Sequence, residues 1–211
     1  VASNRAIAHL PNRNASVGMF PRALAVAPRR NRLILPTQLE LRQTSYIEKL
    51  VKEWLPDGIP ASVHANSTPH ADNLPELVLN ALSCNEAVDP TLLGKYQSLI
   101  GALLYASSNT RPDIAYAVGM LCRAMGKPSA ELLNAGLRVL SYLHYHKGIG
   151  LRYEDDQRSL SGMSDADWAV RHSTSGCVFS MSKAAISWAS KKQPTIALSS
   201  CESEIMAASE G

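Results

Sequence analysis

The chain has 211 residues, 45% of them hydrophobic, and a net charge of +3 with its histidines neutral. That composition suits one medium or two small globular domains and argues against disorder throughout. No apolar run reaches the roughly 18 to 20 residues that cross a bilayer, so no membrane role is expected, and so mild a charge permits nucleic-acid contact without predicting it.

Residues 1–37 carry six arginines (Arg5, Arg13, Arg22, Arg29, Arg30, Arg32) and no acidic residue. This reads as a poorly ordered basic leader; the same composition would suit a targeting peptide or a nucleic-acid arm, and no function is assigned to it. The first convincing element runs from Ser45 to Leu55, where Ser45 and Glu48 form an S-x-x-E capping box ahead of an apolar stripe of Ile47, Leu50, Val51 and Trp54. From Pro56 to Asp89 the prolines suggest an extended connection, and His64, His70 and Cys84 are spaced too irregularly for a metal site.

Three helices are expected next. Asp89 caps the first, with Pro90 in its opening turn; Pro112 opens the second; Ser129 caps the third, which runs to about His146. After Gly148 the pattern changes to short β-compatible segments at Ile149–Tyr153, Ser159–Asp165, Gly176–Ser182 and Ala184–Ser190, an antiparallel meander followed by a helix from Ser199 or Ser200. Cys84, Cys122, Cys177 and Cys201 form no C-x-x-C pair, so they read as reduced, mostly buried small apolar residues. Val1 and Gly211 adjoin sequence that is not boundary-like, and the chain reads as a fragment or a degenerate copy.

Two acidic sites stand out: Asp165 and Asp167 at the end of a strand, and Glu202 and Glu204 on the helix after the meander. Two-metal phosphodiester hydrolysis needs carboxylates that converge from rigid elements on ions about 3.5–4 Å apart. Acids at strand ends and in first helical turns are also common for reasons of solubility and helix dipole. Cys201, Glu204, Ile205 and Ala208 fall at i, i+3, i+4 and i+7, which puts Glu204 on the face expected to pack on the sheet. Asp165 and Asp167 share a strand face, and pattern does not separate them.

The segments Tyr96-Gln97-Ser98-Leu99-Ile100-Gly101 and Thr110-Arg111-Pro112-Asp113-Ile114-Ala115 are followed in register by Ser164-Asp165-Ala166-Asp167-Trp168, Ser173-Thr174-Ser175-Gly176, Ala185-Ile186-Ser187-Trp188, Ser190-Lys191-Lys192-Gln193 and Leu198-Ser199-Ser200-Cys201-Glu202-Ser203-Glu204. This series resembles copia-type (Ty1/copia) retrotransposon Pol polyproteins from about Gln38 to Gly211. The resemblance implies an α+β chain of three parts: the leader over 1–37; a helical thumb/connection region over 38–148, from the end of the reverse transcriptase; and, over 149–211, a partial RNase H-like mixed sheet with its first helix. By position, Asp165 and Glu204 match catalytic, Mg²⁺-binding carboxylates. Lys191, Lys192, Ser173 and Thr174 are the candidate nucleic-acid contacts. The implied partners are an RNA·DNA hybrid or another duplex and the rest of the Pol polyprotein, in an intracellular setting and away from membranes.

The departures limit what the resemblance implies. A family polymerase needs a Y/F-x-D-D turn, which is missing; Asp155-Asp156 lies far downstream of its place. Val170-Arg171 stands where the family usually has Gly-Asp. The later RNase H carboxylates would lie beyond Gly211. The expectation is therefore a Pol fragment whose parent hydrolyses RNA in hybrids and which is itself inactive, binding Mg²⁺ weakly. The alternatives are a non-catalytic nucleic-acid-binding scaffold or a decayed copy. The incomplete sheet also predicts exposed apolar surface and a tendency to associate.

Overall fold

A computed structural model describes residues 38–59, 68–85, 87–154, 159–168 and 173–210. The leader over 1–37, His64, and residues 155, 156, 170 and 171 lie outside the described residues. The chain is α+β. Strand β1 (Gln38–Leu41) is followed by helices α1 (Thr44–Trp54), α2 (Leu74–Ser83) and α3 (Pro90–Asn109), a short 3₁₀ turn (Pro112–Ile114), α4 (Ala115–Cys122) and α5 (Ala130–Tyr145). Then come β2 (Leu151–Glu154), β3 (Ser161–Asp167), β4 (Thr174–Met181), β5 (Ala184–Lys192) and α6 (Ser200–Glu210). No described helix is long and apolar enough to cross a membrane.

The helices build one apolar core. Tyr96, Leu99, Ile100, Leu103 and Ala106 on α3 repeat at helical spacing and are wholly buried, facing Leu121 of α4 and Leu132, Val139, Leu140 and Leu143 of α5. α3 and α5 approach closely at Gly136, where an added Cβ would stand 3.0 Å from a Leu99 methyl. Two expected caps form: Asp89 Oδ1 accepts from the Thr91 amide at 2.9 Å, and Ser129 Oγ from the Leu132 amide at 3.2 Å. The expected box at Ser45 does not form. α1 begins at Thr44 without a side-chain cap, and Glu48 instead accepts from Lys147 Nζ at 2.7 Å. Lys147 holds the Glu48 carboxyl below the usual carboxylate range, chiefly through that hydrogen bond.

Four further expectations are corrected. The Pro56–Asp89 connection contains α2, because Pro75 sits in a first turn, where its missing N–H costs nothing, and Leu74, Val78 and Ala81 then line a buried face. The segment expected to open the meander joins a separate two-stranded sheet, in which Leu151–Glu154 pairs antiparallel with Gln38–Leu41. A Cβ at residue 150 would collide with the Leu41 carbonyl, so that pairing requires Gly150. The remaining strands form the sheet β3-β4-β5, which is antiparallel throughout, so no mixed pairing occurs among the described strands. The four cysteines are free, but Cys84 and Cys201 are exposed and Cys122 and Cys177 only half-buried.

α6 begins where expected and packs over β3 and β4, but with a different face inward. Ser203 and Ala207 are buried, while Cys201, Glu204, Ile205 and Ala208 are exposed. The sheet here presents Gly162, Ser164, Ser175 and Cys177, with the Phe179 ring lying over Gly162, and the helix meets it through the small residues Ser203 and Ala207.

Candidate functional site

Strand alternation assigns the two faces of the β3-β4-β5 sheet. Met163, Asp165 and Asp167 share one face with their partners Val178, Gly176 and Thr174, and next with Trp188, Ser190 and Lys192 of β5. This face is turned toward the helices. Trp188 Nε1 donates to the Ser107 carbonyl at 2.9 Å, Arg123 Nη2 to Thr174 Oγ1 at 3.0 Å, and Tyr116 Oη to Asp167 Oδ2 at 3.4 Å. The opposite face is turned toward α6: Gln193 Nε2 donates to Ser175 Oγ at 3.0 Å and to the Ser203 carbonyl at 2.9 Å.

Between the helices and the first face lies an open cleft of about 500 Å³ that holds both Asp165 and Asp167. The two carboxylates differ in their engagements. Asp167 meets Tyr116, whose phenol is pushed up by burial first and then by the charge and hydrogen bond of Asp167. Burial also lowers the Arg123 guanidinium, an effect that Tyr116 and Asp167 partly offset. Asp165 is exposed and makes no hydrogen bond or ion pair among the described residues.

Local chemistry likewise separates the two glutamates. Ser199 Oγ accepts from the Glu202 amide at 3.1 Å and Glu202 Oε2 from the Leu198 amide at 2.7 Å, so Glu202 is spent in capping α6. Glu204 points to solvent with no partner among the described residues. Thus the expectation that Glu204 occupies the packed face is overturned, although it does remain the uncommitted glutamate. Asp165 lies on the sheet face turned away from α6, and Glu204 is not among the residues lining its cleft.

Chelation of one Mg²⁺ requires carboxylate oxygens that converge on a shared point. Among the described residues no three or more His, Cys, Asp or Glu side chains do so. Asp165 and Glu204 are both exposed and unengaged, but they lie on different faces and do not converge on one ion. Of the candidate nucleic-acid contacts, Lys191 and Lys192 are exposed at the end of β5. Ser173 is fully buried, and Thr174 is buried against Arg123.

Several motif residues take roles that residue pattern did not assign. Arg111 is wholly buried, paired with Asp113 at 2.6 Å and donating Nη1 to the His146 carbonyl at 3.0 Å; Tyr142 Oη donates to the same Asp113 carboxylate at 3.0 Å. Tyr96 Oη donates to the buried Leu121 carbonyl at 2.8 Å. For Tyr96 the available signal was its phase with Leu99, Ile100 and Leu103 on the buried stripe of α3, where a phenol needs a partner; Arg111, set among Ser107, Ser108, Asn109, Thr110 and Asp113, carried no such local signal.

Among known proteins, the chain is 45% identical over 120 residues to the secreted RxLR effector protein 161 of Plasmopara viticola, covering 54% of this chain and 84% of that one. It is 36% identical over 181 residues to the retrovirus-related Pol polyprotein from transposon TNT 1-94 of Nicotiana tabacum, covering 82% of this chain and 13% of the polyprotein. It is 31% identical over 177 residues to the uncharacterized mitochondrial protein AtMg00810 of Arabidopsis thaliana, covering 82% of this chain and 69% of the relative. No protein-family model matches, and no solved structure matches.

Proposed function

Because this chain belongs to the copia-type retrotransposon Pol family, we propose that it derives from the junction between the closing helices of a reverse transcriptase and the start of an RNase H domain. It corresponds to a fragment of a Pol polyprotein and spans 13% of the TNT 1-94 relative. In this reading the parent hydrolyses the RNA strand of RNA·DNA hybrids, and Asp165 and Glu204 are two of the carboxylates around its Mg²⁺. The ions would supply charge neutralisation and an activated water.

The observation that carries the reading is the likeness to a Pol polyprotein across 82% of the chain; the structure adds that Asp165 and Glu204 are uncommitted while neighbouring Asp167 and Glu202 are engaged, and it sets the pair on opposite sides of the β3-β4-β5 sheet. Since the two face opposite sides of the sheet and share no ion in this arrangement, the isolated chain is proposed to be inactive.

Cleavage of a labelled RNA·DNA hybrid in Mg²⁺ tests this directly. The 211-residue chain should not cut, whereas a chain extended through the downstream Pol sequence should, and Asp165→Asn or Glu204→Gln should each abolish that activity. An extended chain that folds and never cuts would remove the nuclease reading. The exposed Lys191–Lys192 pair favours a second reading, a scaffold that binds duplex phosphates without cutting. Binding that weakens with salt and is lost in Lys191→Ala/Lys192→Ala, with no cleavage by any form, would select it; neither binding nor cleavage would leave a decayed copy.

A further inference from the structure

Gln193 ends the Ser190-Lys191-Lys192-Gln193 motif, and neither reading above gives it a role. It is fully buried at the point where the chain leaves β5 for α6. Its backbone amide donates to the Ser173 carbonyl at 2.8 Å, which fastens it beside β4. Its side-chain amide donates one hydrogen to Ser175 Oγ on β4 and the other to the Ser203 carbonyl in α6. A carbonyl only accepts, so the NH₂ group must face Ser203; the side-chain oxygen then stays buried with no partner among the described residues. Leaving that oxygen unpaired is unfavourable, and the two donor bonds are what hold the amide in place.

We infer that Gln193 is a positioning residue that fixes the rotation of α6 over the sheet and thereby directs Glu204 outward. The apolar face of α6 supplies little orientation of its own, since its buried residues are the small Ser203 and Ala207, Met206 is only half-buried and Ile205 is 65% exposed. With so little shape to lock the helix, a bond from a buried amide to one carbonyl, adjacent in sequence to Glu204, determines which residues face in. A glutamate at 193 would present no donor to that carbonyl when ionised, and a methionine would fill the space and present none at all. The consequence for Glu204 rests on the nuclease reading; the orientation of α6 does not.

Hydrogen exchange on the 211-residue chain decides the matter. In Gln193→Met, amides across residues 203–208 should exchange at least about tenfold faster, as expected for losing donor bonds to buried groups, while the β4–β5 ladder keeps its protection. Ser175→Ala, which loosens only the strand anchor, should give a smaller acceleration confined to α6. Unchanged exchange in α6 in both variants, or an equal loss across the whole sheet, would overturn the inference. In the extended chain, Gln193→Met should lower kcat with KM unchanged, and a rise in KM alone would also count against it. If the extended wild type never cuts, the nuclease reading falls while the exchange result still judges Gln193.

Discussion

The helical half and the sheet half of this chain are held together by different physics. Among the helices the interior is large and apolar: Tyr96, Leu99, Ile100, Leu103, Leu121, Leu132, Leu140 and Leu143 are all fully excluded from water. Around β3, β4, β5 and α6 the buried apolar residues are Ala184, Ala197 and Ala207, and they sit among buried Ser173, Thr174, Ser175, Gln193 and Ser203. Of the large apolar residues in this half, Val178, Phe179 and Trp188 are half-buried, while Met163, Leu198 and Ile205 are 68%, 87% and 65% exposed. Burial of area holds the first half, whereas directed hydrogen bonds between small residues align the second. Motifs that look equally strong in sequence therefore do different work on the two sides.

The comparison predicts the largest effect where a charge is buried in the apolar half. Arg111→Met should cost about 3 kcal/mol, because Asp113 loses its partner while staying partly buried; urea unfolding measures it, and a loss under 1 kcal/mol would show that the pair is dispensable.

Tyr96→Phe should cost about 0.5–1.5 kcal/mol by removing one buried hydrogen bond to the Leu121 carbonyl, which keeps its bond from the Ala124 amide at 3.1 Å. Burial pushes the Tyr96 phenol well up, so the folded state favours its neutral form. That contribution is complete below the ordinary tyrosine value of about 10 and is lost as pH rises above it. Stability measured against alkaline pH should thus fall less steeply in Tyr96→Phe than in the parent.

On the sheet side the expected changes are no larger, and the first has the opposite sign. Ser182 and Lys183 join β4 to β5 with φ of 53° and 65°, a left-handed pair that L residues adopt at a cost. Ser182→Gly should therefore stabilise the chain by about 1 kcal/mol, visible as a raised Tm. Least of all, Ile205→Ser and Met163→Ser should each change stability by no more than about 0.5 kcal/mol, since both side chains already face water. They should still reduce self-association in sedimentation, and a large destabilisation would mean that these residues are buried in solution.

Much of the helical half was legible in advance because its signals are local. Asp89 and Ser129 cap the helices they precede, and the α3 stripe faces the core it implies. Where a local signal had competitors it failed: Ser45 and Glu48 fit a capping box, yet Lys147, far away in sequence, takes the glutamate. Prolines near α2 read as breaks because the same residue both ends helices and begins them. In the candidate site, the choice of Glu204 over Glu202 came from a periodicity that the fold reversed. What distinguishes them is the cap made by Glu202, and Ser199 followed three residues later by Glu202 was readable as such.

Taken alone, the sequence determined the order of elements from α3 onward but neither β1 nor α2, together with the caps that start α3 and α5, the apolar stripe of the helical core and membership of a family. Those depend on the spacing of neighbouring residues and on motifs in register. Only the tertiary structure decided that β2 pairs with β1, that α6 turns Ser203 and Ala207 inward, and that Asp165 faces the helices while Glu204 faces solvent. A strand's partner and a helix's inward face are set by whatever surface is available to complete their hydrogen bonds and fill their packing, and that surface comes from residues far along the chain.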